Sequence, residues 1–66
     1  MYKSRLKAMR EIKGLSQSEL STKSGVTLRN IQAYEIGYRD INKASVESVL
    51  KLSEALGCDI TDIINK

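Results

Sequence analysis

The sequence predicts an all-α domain, and three observations carry that expectation. Apolar residues recur at helical spacing between charges, hydroxyl residues stand where such runs begin, and glycines stand where they stop. Proline is absent, aromatic residues make up 5% and charged residues 29%, which suits a compact helical domain better than a β-sandwich with its closely spaced turns. At 66 residues the chain reads as one domain over 1–66, near the lower size at which a core supports a fold without disulfides or metal.

From Lys3 to Lys13, Leu6, Met9 and Ile12 recur at three-residue spacing among charges, which predicts an amphipathic first helix ending at Gly14. Leu15 then precedes Ser16, and Ser16 with Glu19 forms an S-x-x-E capping box that starts a second helix. That helix runs from about Gln17 to Lys23, with Leu20 as its main core residue and Ser21 small enough for a close helix approach. Gly25 ends it, because glycine takes the left-handed conformation that a reversal needs, and Val26 plugs the corner. Thr27 reads as the N-cap of a third helix that reaches about Ile36 and closes at Gly37. Two helices around a short glycine turn make a helix-turn-helix arrangement, here at about 16–36.

Tyr38 to Ile41 reads as an irregular connection. Asn42 is expected to cap the fourth helix, with Ser45 as a rival start; that helix continues through Val46, Val49, Leu50, Leu52 and Leu56 and stops at Gly57. A last short helix is expected from Ile60 to Asn65, with Asp59 as its cap. Its Ile60, Ile63 and Ile64 would finish the core or supply a small dimer interface.

The single Cys58, the absence of His and the lack of a C-x-x-C pair point to a reducing compartment and against a structural zinc. The charged N-terminus has no signal-length apolar run, and nowhere do about 18 apolar residues follow one another. The expectation is a soluble cytoplasmic protein, complete as written and without a membrane partner. Charge is uneven: Lys3, Arg5, Lys7, Arg10 and Lys13 face one anion in residues 1–15, whereas residues 44–66 hold two cations against four anions. A basic pole on a small domain is a footprint for polyanions, nucleic acid first among them, although a merely solvated face has the same charges.

Placing the third helix at about 100° per residue around Ile31 puts Tyr34 and Glu35 with it on the buried side. Arg29, Gln32 and Ala33 fall on the opposite side, so the free face is expected to offer a guanidinium, a carboxamide and a methyl. These types suit base edges in a major groove: arginine pairs with guanine, glutamine with adenine, and a small apolar group meets the thymine methyl. Alone they would be ordinary solvated residues; their place just after a helix-turn-helix corner gives them the functional reading.

Arg10, the G-L-S-Q-S-E-L block from Gly14 to Leu20, Gly25-Val26, Ile31, Tyr34-Glu35, Gly37 and L-K-L-S-E-A-L-G from Leu50 to Gly57 together resemble the phage-repressor-like helix-turn-helix regulators of the Cro and XRE type. The similarity runs from about Leu6 to Ile64. It implies a five-helix domain that binds double-stranded DNA, typically as a symmetric dimer, with the third helix in the major groove. By the same resemblance Thr27, Leu28, Arg29, Gln32 and Ala33 would read bases, while Ser16, Gln17, Ser18, Arg39 and Lys43 would meet phosphates. It also pairs Arg10 with Glu35 in a structural ion pair. Leu28 and Ile36 depart from the polar residues common at their positions, and the loop from Tyr38 to Asn42 is longer than in the most compact relatives.

The leading expectation is therefore a sequence-specific DNA-binding transcriptional regulator, a repressor acting on a two-fold symmetric operator as a weak homodimer that tightens on DNA. The alternative is a protein-interaction module on the same scaffold, an antitoxin or adaptor, using Leu28, Ile36 and Tyr38 as an apolar patch for a protein partner. An enzyme is opposed by the lack of His, of a glycine-rich phosphate loop and of a serine or cysteine with a base partner; Cys58 reads as a small core residue. No cofactor is implied.

Overall fold

The computed structural model describes residues 3–65; residues 1, 2 and 66 of the expected domain lie outside the described residues. The chain forms α1 (Arg5–Ile12), α2 (Gln17–Ser24), α3 (Leu28–Ile36), a 3-10 turn (Ile41–Lys43), α4 (Val46–Leu56) and a second 3-10 turn (Ile60–Asp62). The architecture is all-α. α2 packs against α3 and α4, and α1 packs against α3 and the final turn.

Each α-helix begins at a hydroxyl side chain that accepts a backbone N–H from the first turn: Ser4 from Lys7, Ser16 from Glu19, Thr27 from Asn30 and Ser45 from Ser48. Otherwise these N–H groups would lack a partner inside the helix. The Ser16 cap is reciprocal, with the Glu19 N–H to Ser16 Oγ at 3.0 Å and the Ser16 N–H to Glu19 Oε1 at 2.8 Å. At the corner between α2 and α3, Gly25 has φ 80°, and a Cβ there would meet nothing within 4 Å. The left-handed backbone, and not lack of space, is what requires glycine at this position.

Leu6, Leu20, Ile31, Ile41, Leu52 and Ile63 are the largest fully buried side chains, joined by Val26, Tyr34, Val49 and Leu56 in one cluster. The cluster draws on every helix, which is how so short a chain assembles a core. Ser53 is also buried, and its Oγ donates to the Leu50 carbonyl at 2.8 Å.

Several boundaries differ from the sequence reading. Ile12, expected on the apolar face of α1, is 73% exposed, because α1 ends there and only Leu6 and Met9 of that run reach the core. Val46 and Leu50 belong to α4 but lie exposed. Ser45, not Asn42, caps α4. Asn42 sits in the first 3-10 turn, where its N–H bonds Asp40 Oδ1 at 2.9 Å and its side chain pairs with Asn65: Asn42 Oδ1 accepts the Asn65 N–H at 2.7 Å, and Asn42 Nδ2 donates to the Asn65 carbonyl.

The expected fifth helix is a single 3-10 turn. The run Ile60-Thr61-Asp62-Ile63-Ile64 is rich in β-branched residues, whose restricted χ1 weakens helix formation, and its tertiary contacts place it instead. Ile63 is fully buried, and Ile60 and Ile64 pack partly against the core. Asp59 caps this turn as expected, in a capping box with Asp62 in which the Asp59 N–H is taken by Asp62 Oδ2 at 3.1 Å. Among the described residues, no helix is long and apolar enough to cross a membrane.

Candidate nucleic-acid interface

α3 is held from its inner side. Ile31 and Tyr34 are buried, and Glu35 is only 6% exposed although it carries a carboxylate. Arg10 of α1 meets that carboxylate with two bonds, Nε to Oε2 at 2.7 Å and Nη2 to Oε1 at 3.0 Å. Its remaining Nη1 donates to the Leu15 carbonyl at 2.7 Å, while the Leu15 N–H returns to the Arg10 carbonyl at 3.1 Å. One arginine thus ties α1, the turn into α2 and α3 together, and the planar fork of a guanidinium suits this geometry. The bond to Glu35 raises the Arg10 pKa above its ordinary value, against the opposing effect of burial.

Gln17 extends this cluster outward. Its Nε2 donates to Glu35 Oε1 at 3.0 Å, and its Oε1 accepts from Gln32 Nε2 at 3.5 Å. The Gln17 side chain, expected to meet phosphate, therefore faces α3. Ser16 and Ser18 lie exposed at the start of α2. The Ser16 backbone and hydroxyl bonds lower the Glu19 pKa below the usual carboxylate range.

The outer face of α3 presents Arg29 and Gln32, both exposed, with Ile36 further along at 71% exposed. Thr27 is exposed at the N-cap and Leu28 is half-buried. Ala33 departs from the expectation: it is buried, with 9% exposed, so its methyl is not on the free face. The chain folds back along this side of the helix after Gly37, with the Arg39 N–H bonded to the Ala33 carbonyl at 3.2 Å and Arg39 Nη1 to Asn30 Oδ1 at 3.0 Å. A helical projection around Ile31 contains the core direction but not this return, which is why it placed Ala33 outside.

The same return positions Arg39 beside α3, exposed but with its guanidinium held by Asn30. Asn30, whose N–H is capped by Thr27 Oγ1 at 3.3 Å, was not singled out from the sequence; its partner comes from a loop that local periodicity does not describe. Lys43 lies exposed at the end of the first 3-10 turn. Tyr38, at 84% exposed, stands next to the end of α3. Cys58 is half-buried after α4, and burial pushes its thiol pKa up, away from nucleophilic use.

A family model described as helix-turn-helix matches residues 6–63 of the chain. The chain is also 39% identical over 61 residues to a protein of Picrophilus torridus whose provisional name is HTH-type transcriptional regulatory protein. The match covers 92% of this chain and 18% of that relative, so the chain spans about a fifth of the relative's length.

Proposed function

The chain belongs to the phage-repressor-like helix-turn-helix family of transcriptional regulators, which is not enzymatic, and from that premise we propose that α3 enters the major groove of double-stranded DNA as a sequence-reading element. The observation that carries this reading is the pairing of an exposed Arg29 and Gln32 on a helix whose opposite face is locked by Ile31, Tyr34 and the Arg10–Glu35 pair. A rigid mount keeps the reading groups in register, and their chemistry matches guanine and adenine edges. Thr27 and Leu28 complete the base-facing set, Leu28 through its methyl groups.

Phosphate contacts in this proposal come from Ser16, Ser18, the backbone N–H of Gln17 at the start of α2, Arg39 and Lys43. Anions settle at helix N-termini because the unpaired N–H groups and the helix dipole both favour negative charge. The regulator acts as a repressor by covering its operator. Two copies are needed to read two half-sites, since successive major grooves on one face lie about 34 Å apart and the longest dimension of the Cα trace is 25 Å. A weak homodimer that closes on a two-fold symmetric operator meets that requirement.

Selection of bound sequences from random duplex DNA tests the proposal. The expected result is a palindrome with half-sites spaced by about one helical turn. No enrichment at moderate salt would sink it. A second reading, a protein-interaction module, is favoured by one observation: Ile36 and Tyr38 are exposed together at the end of α3. A double substitution Ile36→Ser and Tyr38→Ser that leaves the selected DNA sequence unchanged would separate that surface from the DNA site.

A further inference from the structure

We propose that the outer face of α1 docks on the outer face of α4 of a second copy of this chain, a head-to-tail contact distinct from the two-fold pair that an operator requires. The contact itself does not depend on the DNA reading.

Three exposed apolar side chains lie on these two helices: Ile12 at 73%, Val46 at 77% and Leu50 at 44%. On α1 the exposed Ala8 stands four residues before Ile12, and on α4 Val46 stands four before Leu50, so each helix turns a short apolar strip to solvent. The core draws on the other sides of both helices, Leu6 and Met9 of α1 and Val49, Leu52 and Leu56 of α4.

A charge pair borders each strip. Lys7 and Glu11 each precede a strip residue by one position, whereas Glu47 and Lys51 each follow one. At about 100° per residue the two pairs lie on opposite flanks, and opposite flanks meet when two helices pack face to face and parallel. Lys7 then reaches Glu47 of the next copy and Glu11 reaches its Lys51, while Ala8 and Ile12 cover Val46 and Leu50. Within one chain Glu47 and Lys51 bond each other at 3.1 Å, and among the described residues Lys7 and Glu11 have no ion-pair partner.

Net charge selects this pairing over a symmetric one. The approach to α1 and its outer face carry Lys3, Arg5 and Lys7 against Glu11, and the exposed face of α4 carries Glu47 and Glu54 against Lys51. Two α1 faces, or two α4 faces, would bring like charge together; α1 on α4 brings opposite charge together. The strips are small, so the contact is weak in free solution. Each copy keeps one open face after any single contact, so copies can add in a row. Copies side by side on one duplex are held at high local concentration, and neighbours would load cooperatively; that consequence alone rests on the DNA reading.

Methyl NMR across a dilution series tests the contact without DNA. The signals of Ala8, Ile12, Val46 and Leu50 should shift together as concentration rises. One variant reverses the α1 pair, Lys7→Glu with Glu11→Lys, and another the α4 pair, Glu47→Lys with Lys51→Glu, so that net charge is unchanged in both. Each variant alone should associate about tenfold more weakly than wild type, as expected when two rim ion pairs become repulsive. Mixing the two should restore the shifts, because the reversed α1 again faces opposite charges on the reversed α4. Wild-type signals that do not change with concentration overturn the proposal. So does a reversed variant that associates as well as wild type, since an antiparallel α1–α1 or α4–α4 pair survives a reversal present in both copies. Should a reversed variant not fold, Ile12→Ser and Leu50→Ser take its place. Each alone should lose the shifts and their mixture regain them, one chain keeping an intact α1 face and the other an intact α4 face; no recovery in the mixture overturns the proposal.

Discussion

Ile31 and Ile36 are the same residue on the same helix, yet the first is fully buried and the second is 71% exposed. The difference separates the two jobs of α3. On the side of Ile31 the helix is fixed by apolar packing and by the ion pair from α1, and every polar group there has a partner. On the side of Ile36, among the described residues, no hydrogen bond or ion pair engages Arg29, and Gln32 bonds only its neighbour Gln17. A reading surface needs both conditions, since side chains free to meet a ligand discriminate well only when the backbone beneath them does not move.

The most damaging way to break that contrast is to remove the clamp. Arg10→Met keeps the length of the side chain but leaves the Glu35 carboxylate buried without its cation, which is expected to destabilise the domain by about 3–5 kcal/mol. For a domain of this size that is a large share of the total. Urea denaturation followed by circular dichroism measures it, and a variant as stable as wild type would show that the inner face does not depend on the ion pair.

The isoleucine pair sharpens the comparison directly. Ile31→Ala removes buried apolar volume and should cost about 2–5 kcal/mol. Ile36→Ala, on the opposite side, should stay within about 0.5 kcal/mol of wild type. Equal losses in the two melts would mean that Ile36 packs against something, for example a second copy of the chain.

Much of the inner side was legible in the sequence, because its signals are local. The Ser16–Glu19 capping box, the glycine at the α2–α3 corner and the periodicity of Leu20, Val26, Ile31 and Tyr34 depend on neighbours a few residues away. The outer side was legible only in part. Arg29 and Gln32 fall where the wheel places them, but Ala33 is covered by a chain return that begins beyond Gly37. Gln17 faces Glu35 for the same kind of reason, since its partner lies on another helix. Asn42 and the final turn were misread because hydroxyl and amide caps share one sequence signal, and because β-branched isoleucines fit a buried turn as well as a helix face.

Substitution on the outer face should leave folding alone and change recognition. Arg29→Ala is expected to melt with wild type while losing about 1–3 kcal/mol of discrimination at one base pair, as measured by binding to single-base variants of the selected operator. A fall in stability of similar size would place Arg29 among the supports of the helix and not among its readers.

Arg39 offers the finest cut, because it stands beside the outer face without belonging to it. Its guanidinium is held by Asn30 Oδ1 at 3.0 Å and is exposed, an arrangement suited to a phosphate and remote from base edges. Loss of one phosphate contact releases one fewer condensed counterion, so Arg39→Ala should weaken binding to all sequences alike and lower the salt slope by about one unit. Titrations of the selected operator and of an unrelated duplex across a salt series measure both quantities. Loss confined to the operator would move Arg39 into the base-reading set, and an unaltered slope would remove it from the interface. Asn30→Ala provides the companion measurement: it frees the guanidinium without deleting it, so the slope should persist while affinity falls by less than in Arg39→Ala.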